Sequence, residues 1–152
     1  MALVFDCSVT VPWYVDDEKT GFTDGLLARV WEGQCWIPGL WRLEFANVLI
    51  LAERRNRITA ARRREIIEQA SRLPLQIDTQ VPALATISEI ADAFQLTPYD
   101  AAYFELAQRR RLTLATLDAD LVRAARAAKL PLATDPSIFP ERGAPKSKKP
   151  KA

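Results

Sequence analysis

The sequence predicts an α/β domain built on a mainly parallel sheet. Short apolar runs alternate along the chain with longer segments of helical pattern, the signature of a parallel sheet with helical crossovers. The chain has 152 residues, a length that suits one domain. At this size folding buries roughly 70% of the unfolded surface, so no disulfide or metal is needed as a staple. No internal repeat or second domain is visible.

Residues 2–5 form an apolar run closed by Asp6, a buried-strand pattern, and a loop is expected after it. Residues 20–31 read as a helix ending at Gly33, and residues 35–38 as a second strand. Residues 40–55 form a long helix. Thr59 can cap another that runs to residue 73, and residues 74–78 make a short strand. Residues 82–94 are helical with Pro82 at the start. Thr97 and Pro98 open a helix to Arg110, residues 112–115 are a strand, 118–129 a helix, and 131–133 a last strand. Ligands of such sheets bind beyond the carboxyl ends of the strands. Asp6 and Asp118 both lie just past a strand end.

Histidine is absent. That removes Ser-His-Asp and Cys-His chemistry, histidine bases and the usual zinc sites. Cys7 and Cys35 form no C-x-x-C pair and read as buried free thiols, which fits a reducing cytoplasm. No secretory leader pattern precedes Asp6. The apolar stretch 45–52 is interrupted by Asn47 and is too short to span a bilayer. The net charge of +2 belongs to the end of the chain: residues 141–152 hold five basic residues and one acid, leaving 16 basic and 18 acidic residues before them. We expect a domain over residues 1–140 and a basic, disordered tail over 141–152. The tail can attract phosphates or serve solubility.

Four acids stand out. Residues 40–52 are apolar on nearly every side except Arg42, Glu44 and Asn47, which predicts a helix buried over most of its surface. A carboxylate there must be paired or bind a metal, unless Glu44 lies on an exposed strip with Arg42. Asp100 sits at the third position of a helix capped by Thr97, as in a capping box. Asp118 fits an N-cap, and Asp6 can make a local turn with Ser8. If the four converge, their repulsion raises their pKa values, and a divalent cation would relieve it. Oxygen-only ligands suit Mg²⁺ or Mn²⁺, and such a site hydrolyses phosphodiesters.

At these residues the chain resembles the PIN-domain ribonucleases, most closely the VapC-type toxins of bacterial toxin–antitoxin pairs. The resemblance lies in Phe5-Asp6-Cys7-Ser8, Leu43-Glu44-Phe45-Ala46-Asn47-Val48-Leu49, Thr97-Pro98-Tyr99-Asp100-Ala101-Ala102-Tyr103 with Leu106-Ala107, and Leu114-Ala115-Thr116-Leu117-Asp118-Ala119-Asp120-Leu121. In order and spacing it covers residues 2 to about 139. It implies a three-layer α/β/α sandwich, RNA as substrate, a homodimer and a cognate antitoxin. It implies Mg²⁺ or Mn²⁺ on Asp6 and Asp100, with Glu44 binding directly or through water. Asp118 would hold a metal-bound water or a second ion, and Ser8 and Thr116 would orient carboxylates. Asn47 can supply a supporting amide or pack. Asp120 can join the acids or face solvent.

An acidic pocket repels a polyanion, so cations must steer RNA. Candidates are Arg54, Arg55, Arg57 and Arg62 to Arg64, and Arg109 to Arg111, which can equally complement a helix end. Trp13, Tyr14 and Trp41 can stack bases or pack. Competing functions are a Mg²⁺-dependent phosphatase, a DNA-directed nuclease and a non-catalytic PIN-like binding module. A haloacid-dehalogenase phosphatase would want a second Asp where Ser8 stands.

Overall fold

The computed structural model describes residues 2–141. Five strands, β1 (Leu3–Phe5), β2 (Cys35–Pro38), β3 (Gln76–Asp78), β4 (Thr113–Ala115) and β5 (Leu132–Ala133), form one sheet in the order β3-β2-β1-β4-β5. Every pairing is parallel, so the sheet is wholly rather than mainly parallel. The described residues also form α1 (Cys7–Thr10), α2 (Gly21–Val30), α3 (Leu40–Arg54), α4 (Ala60–Ser71), α5 (Leu84–Phe94), α6 (Pro98–Arg110) and α7 (Ala119–Ala127). Together they make a three-layer α/β/α sandwich. The basic tail from Arg142 onward lies outside the described residues.

Strand β1 is central and all three of its residues are buried. From β1 the chain builds outward through β2 to β3, then returns to add β4 and β5 on the other side. This reversal opens a crevice at the carboxyl ends of β1 and β4. Phe5 pairs with Ala115, so Asp6 and Thr116 stand side by side one residue further on. Helix α6 packs against β1, β2 and β4 and buries Ala101 and the run from Tyr103 to Ala107. Thr20, Thr59, Thr97 and Asp118 each cap a helix through their side chains.

Three local expectations change. The segment after Asp6 is α1 followed by two 3-10 turns, Val11–Trp13 and Asp16–Glu18, rather than a loop. Pro82 lies outside α5, which begins at Leu84. Helix α3 is not buried over most of its surface. Only Trp41, Phe45, Leu49 and Ala52 are buried, at intervals of about one helical turn, which makes a single stripe. Leu43 is 75% exposed, because no described element covers the outer face of this helix.

Candidate active site

Strand β1 ends by delivering Asp6 into the crevice, where its carboxylate is buried. Ser8 Oγ donates to Asp6 Oδ1 at 2.6 Å, and Thr116 Oγ1 donates to Oδ2 at 3.1 Å. Both hydroxyls are anchored in turn. The Leu117 N–H donates to Ser8 Oγ at 2.7 Å, and the Asp118 N–H to Thr116 Oγ1 at 3.0 Å. The ends of β1 and β4 thus fix both oxygens of Asp6. Burial pushes the Asp6 carboxyl up to about 7, with the charges of Asp118 and Asp100 adding to it. The hydrogen bonds from Ser8 and Thr116 pull the other way without compensating.

Asp118 is both a cap and a member of this cluster. Its Oδ1 accepts from the backbone N–H groups of Asp120 and Leu121, each at 2.9 Å. Its charge still reaches Asp6 and Asp100. Asp100 lies in the first turn of α6, its N–H donating to Thr97 Oγ1 at 3.1 Å. Burial raises its pKa, and Asp118 and Asp120 add to the shift. Capping and site membership are therefore compatible for both aspartates.

Glu44 is half-buried on α3, and its Oε1 is buried with no hydrogen-bond partner among the described residues. Burial raises its pKa and Asp100 adds to this, against an opposing contribution from the Tyr103 hydroxyl. The exposed strip pairing Glu44 with Arg42 does not form. Tyr103 is buried, with its hydroxyl 3.9 Å from Cys7 Sγ. Neither residue carried a role in the sequence reading. The usable signal was spacing, since Tyr103 lies three positions after Asp100 on one helix face. Cys7 is half-buried rather than buried, whereas Cys35 is buried and both are free thiols. Burial, then the Glu44 charge, pushes the Cys7 thiol up to about 12.

Asn47 and Asp120 lie apart from the acids, and for Asp120 this is the solvent-facing alternative. Asn47 is exposed and bonds to none of the acids. Asp120 is exposed and paired with Arg123, so it belongs to the outer rim and acts on Asp100 only through its field. Among the candidate cations, Arg109 pairs with Asp78 and Glu105, and Arg110 pairs with Asp78 while lying 3.7 Å over the Trp36 ring. These two lock α6 to the sheet. Arg57, Arg62 and Arg63 are tied to acids as well. Arg54, Arg55 and Arg64 are exposed and have no ion pair among the described residues. Trp13 and Trp41 are core residues: their indole N–H groups donate to Thr23 O at 2.7 Å and Thr10 Oγ1 at 3.1 Å. Tyr14 is half-buried, edge-on to Phe45.

The acids fit a hard divalent cation on two observations. Every donor is a carboxylate oxygen, and Glu44 Oε1 is buried and unpartnered. Among the described residues no three Asp, Glu or Cys side chains draw together as a ready-made metal cage.

A family model for the PIN domain matches residues 3–127. The fold is similar to that in the crystal structure of PAE2754 from Pyrobaculum aerophilum, with a TM-score of 0.65 and 23% identity over 82% of this chain and 86% of that one. No curated protein matches the chain. The chain belongs to the PIN domain family, whose members are in general nucleases.

Proposed function

We propose that this protein is a Mg²⁺- or Mn²⁺-dependent endoribonuclease and the toxin of a toxin–antitoxin pair. One observation carries the hydrolytic reading. Asp6, Asp100 and Asp118 act on one another through their charges, Asp100 does the same to Glu44, and no Lys or Arg among the described residues pairs with any of the four. A buried acidic cluster without its own cation is built to receive one.

In this reading Asp6 and Asp100 hold the ion directly, Glu44 directly or through water, and Asp118 through water or at a second ion. A bound divalent ion acidifies water and stabilises charge on phosphate oxygens. Ser8 and Thr116 keep both Asp6 oxygens aimed, and Tyr103 orients Glu44. No histidine and no RNA 2′-hydroxyl is needed as base or nucleophile, so the products are a 5′-phosphate and a 3′-hydroxyl.

The partner reading rests on surface chemistry. Leu43, Val81 and Leu84 are exposed apolar residues, as expected of a chain that self-associates into a homodimer. A groove of about 430 Å³ lined by Trp41, Phe45, Ile67, Leu73 and Ile77 offers an apolar seat for an antitoxin segment. None of the described helices is long and apolar enough to cross a membrane, and we place the activity in the cytoplasm.

The test is cleavage of total RNA by wild type and Asp6→Asn, with Mg²⁺ and with EDTA. The substitution is expected to lower cleavage by about 10³-fold, the upper range for losing one preorganised electrostatic group. Equal cleavage by both proteins, or cleavage undiminished in EDTA, overturns the metal reading. Parallel arms with single-stranded DNA and a phosphate monoester separate a DNA nuclease and a phosphatase from the ribonuclease. The toxin assignment is lost if expression without the neighbouring open reading frame leaves growth unchanged.

A further inference from the structure

A second groove runs along α7 from the rim of the acid pocket, between that helix and the segment 132–141. It holds about 740 Å³, and its polar lining includes Arg123, Arg126, Thr134 and Glu141. The lining starts at Ala119, next to the Asp118 cap of α7, and Arg126 lies about 12 Å from that cap along the helix axis.

Its two arginines are held in place, Arg126 by carbonyls alone and Arg123 by carbonyls and one exposed acid. Arg126 Nη2 donates to the carbonyl oxygens of Phe139 at 2.8 Å and Pro140 at 3.2 Å, which are uncharged acceptors. Arg123 Nη2 donates to the carbonyls of Phe94 at 3.3 Å and Gln95 at 3.1 Å, while Nη1 reaches Asp120. The Asp120–Arg123 pair is half exposed on both sides, and such a pair contributes little and exchanges readily. Each guanidinium has five N–H donors, so both keep donors for an incoming anion. Arg123 and Arg126 are three residues apart and share a helix face. Glu141 is the one acid of the lining. It stands at the far end, where the chain continues into a segment with five basic residues.

We infer that this groove is the track of the RNA strand leaving the acids, with Arg123 and Arg126 gripping successive phosphates. The inference rests on the ribonuclease reading and adds the side of the pocket on which the substrate lies. It also answers how an acidic pocket holds a polyanion after Arg109 and Arg110 are committed to Asp78. The guanidiniums supply charge beside the site without entering it.

The test is binding of a fluorescein-labelled single-stranded RNA oligonucleotide to the full chain in EDTA, by anisotropy across a salt series, with cleavage in Mg²⁺ measured alongside. The double variant R123Q/R126Q is expected to bind roughly tenfold more weakly, with its log–log salt slope reduced by about 1.4, the value for two lost single-strand phosphate contacts. R123K/R126K keeps most of the slope because the charge remains. The inference is overturned if R123Q/R126Q matches wild type in affinity and slope. It is also overturned if the lysine variant loses as much as the glutamine variant, which marks a packing role. Binding that depends on the two arginines, without cleavage by wild type, sustains the groove and removes the ribonuclease reading. Absence of RNA binding by wild type removes both.

Discussion

Helix α6 meets buried carboxylates at both of its ends, and only one end supplies cations for them. Near its start, Asp100 faces Asp6 and Asp118, and no described Lys or Arg pairs with these acids. Near its end, Asp78 and Glu105 are buried like Asp6, but Asp78 pairs with Arg109 and Arg110 and Glu105 with Arg109. The same physics then gives opposite outcomes. Burial pushes Asp78 up, but hydrogen bonds from Arg109 and Arg110 outweigh it and hold the carboxyl below the ordinary range. Burial pushes Asp6 up too, and there the neighbouring charges are acidic and add to the shift. A buried acid with its own cation fastens the fold. A group of acids without one leaves a charge for something outside the chain to balance.

Replacing Asp6 breaks this comparison most strongly. The rise from 3.8 to about 7 corresponds to about 4 kcal/mol. Because the folded pKa lies above the unfolded one, the unfolded chain releases a proton between pH 4 and 7 that the folded chain retains. Stability in EDTA therefore falls as pH rises through that window and levels off above it. Urea denaturation in EDTA at pH 5 and pH 8 should show this loss for wild type. Asp6→Asn should remove it and gain up to about 4 kcal/mol at pH 8. A flat wild-type profile would mean that Asp6 is not isolated from cations. At the other end of α6 the sign reverses. Asp78→Ala should cost about 2 kcal/mol, less than for a fully buried pair because both arginines keep some solvent access. Its cleavage rate at 25 °C should stay near wild type.

Smaller effects sharpen the contrast. Thr116→Val removes one of the two hydroxyls holding Asp6 and should lower cleavage by about tenfold, the scale for groups that orient metal ligands. The check is kcat at saturating Mg²⁺, with the melting temperature confirming the fold. Asp120→Asn breaks only an exposed pair, so stability should change by less than about 0.5 kcal/mol. Its charge is one cause of the raised Asp100 pKa, so the acid limb of the pH–rate profile should move to lower pH.

Much of this was legible in the chain itself. Short apolar runs located four strands, the alternation Leu75-Gln76-Ile77 located β3, and threonines at 20, 59 and 97 located three helix starts. Asp6 could be placed at the crevice because it directly follows a buried strand, and Asp118 because it lies three residues past another. Helix α3 was misread because a list of apolar residues does not say which side will be covered, and only its Trp41–Phe45–Leu49 stripe is. The ends of α5 and α6 fall at Phe94 and Arg110 as the pattern predicts, whereas α3 and α7 stop one and two residues before the expected ends. All four close on Asn56, Gln95, Arg111 and Lys129 in the left-handed region rather than on the glycine that usually marks a helix end.

Local pattern was enough for the succession of strands and helices along the chain, the threonine caps, the absence of histidine chemistry and the choice of four candidate acids. These depend on periodicity and on contacts within a few residues. Only the tertiary structure decided which carboxylates receive cations. Asp78 meets Arg109 across 31 positions and Asp6 meets Thr116 across 110. Such distant groups are brought together by strand order and register, and charge pairing at a few ångströms follows from that packing rather than from any local pattern.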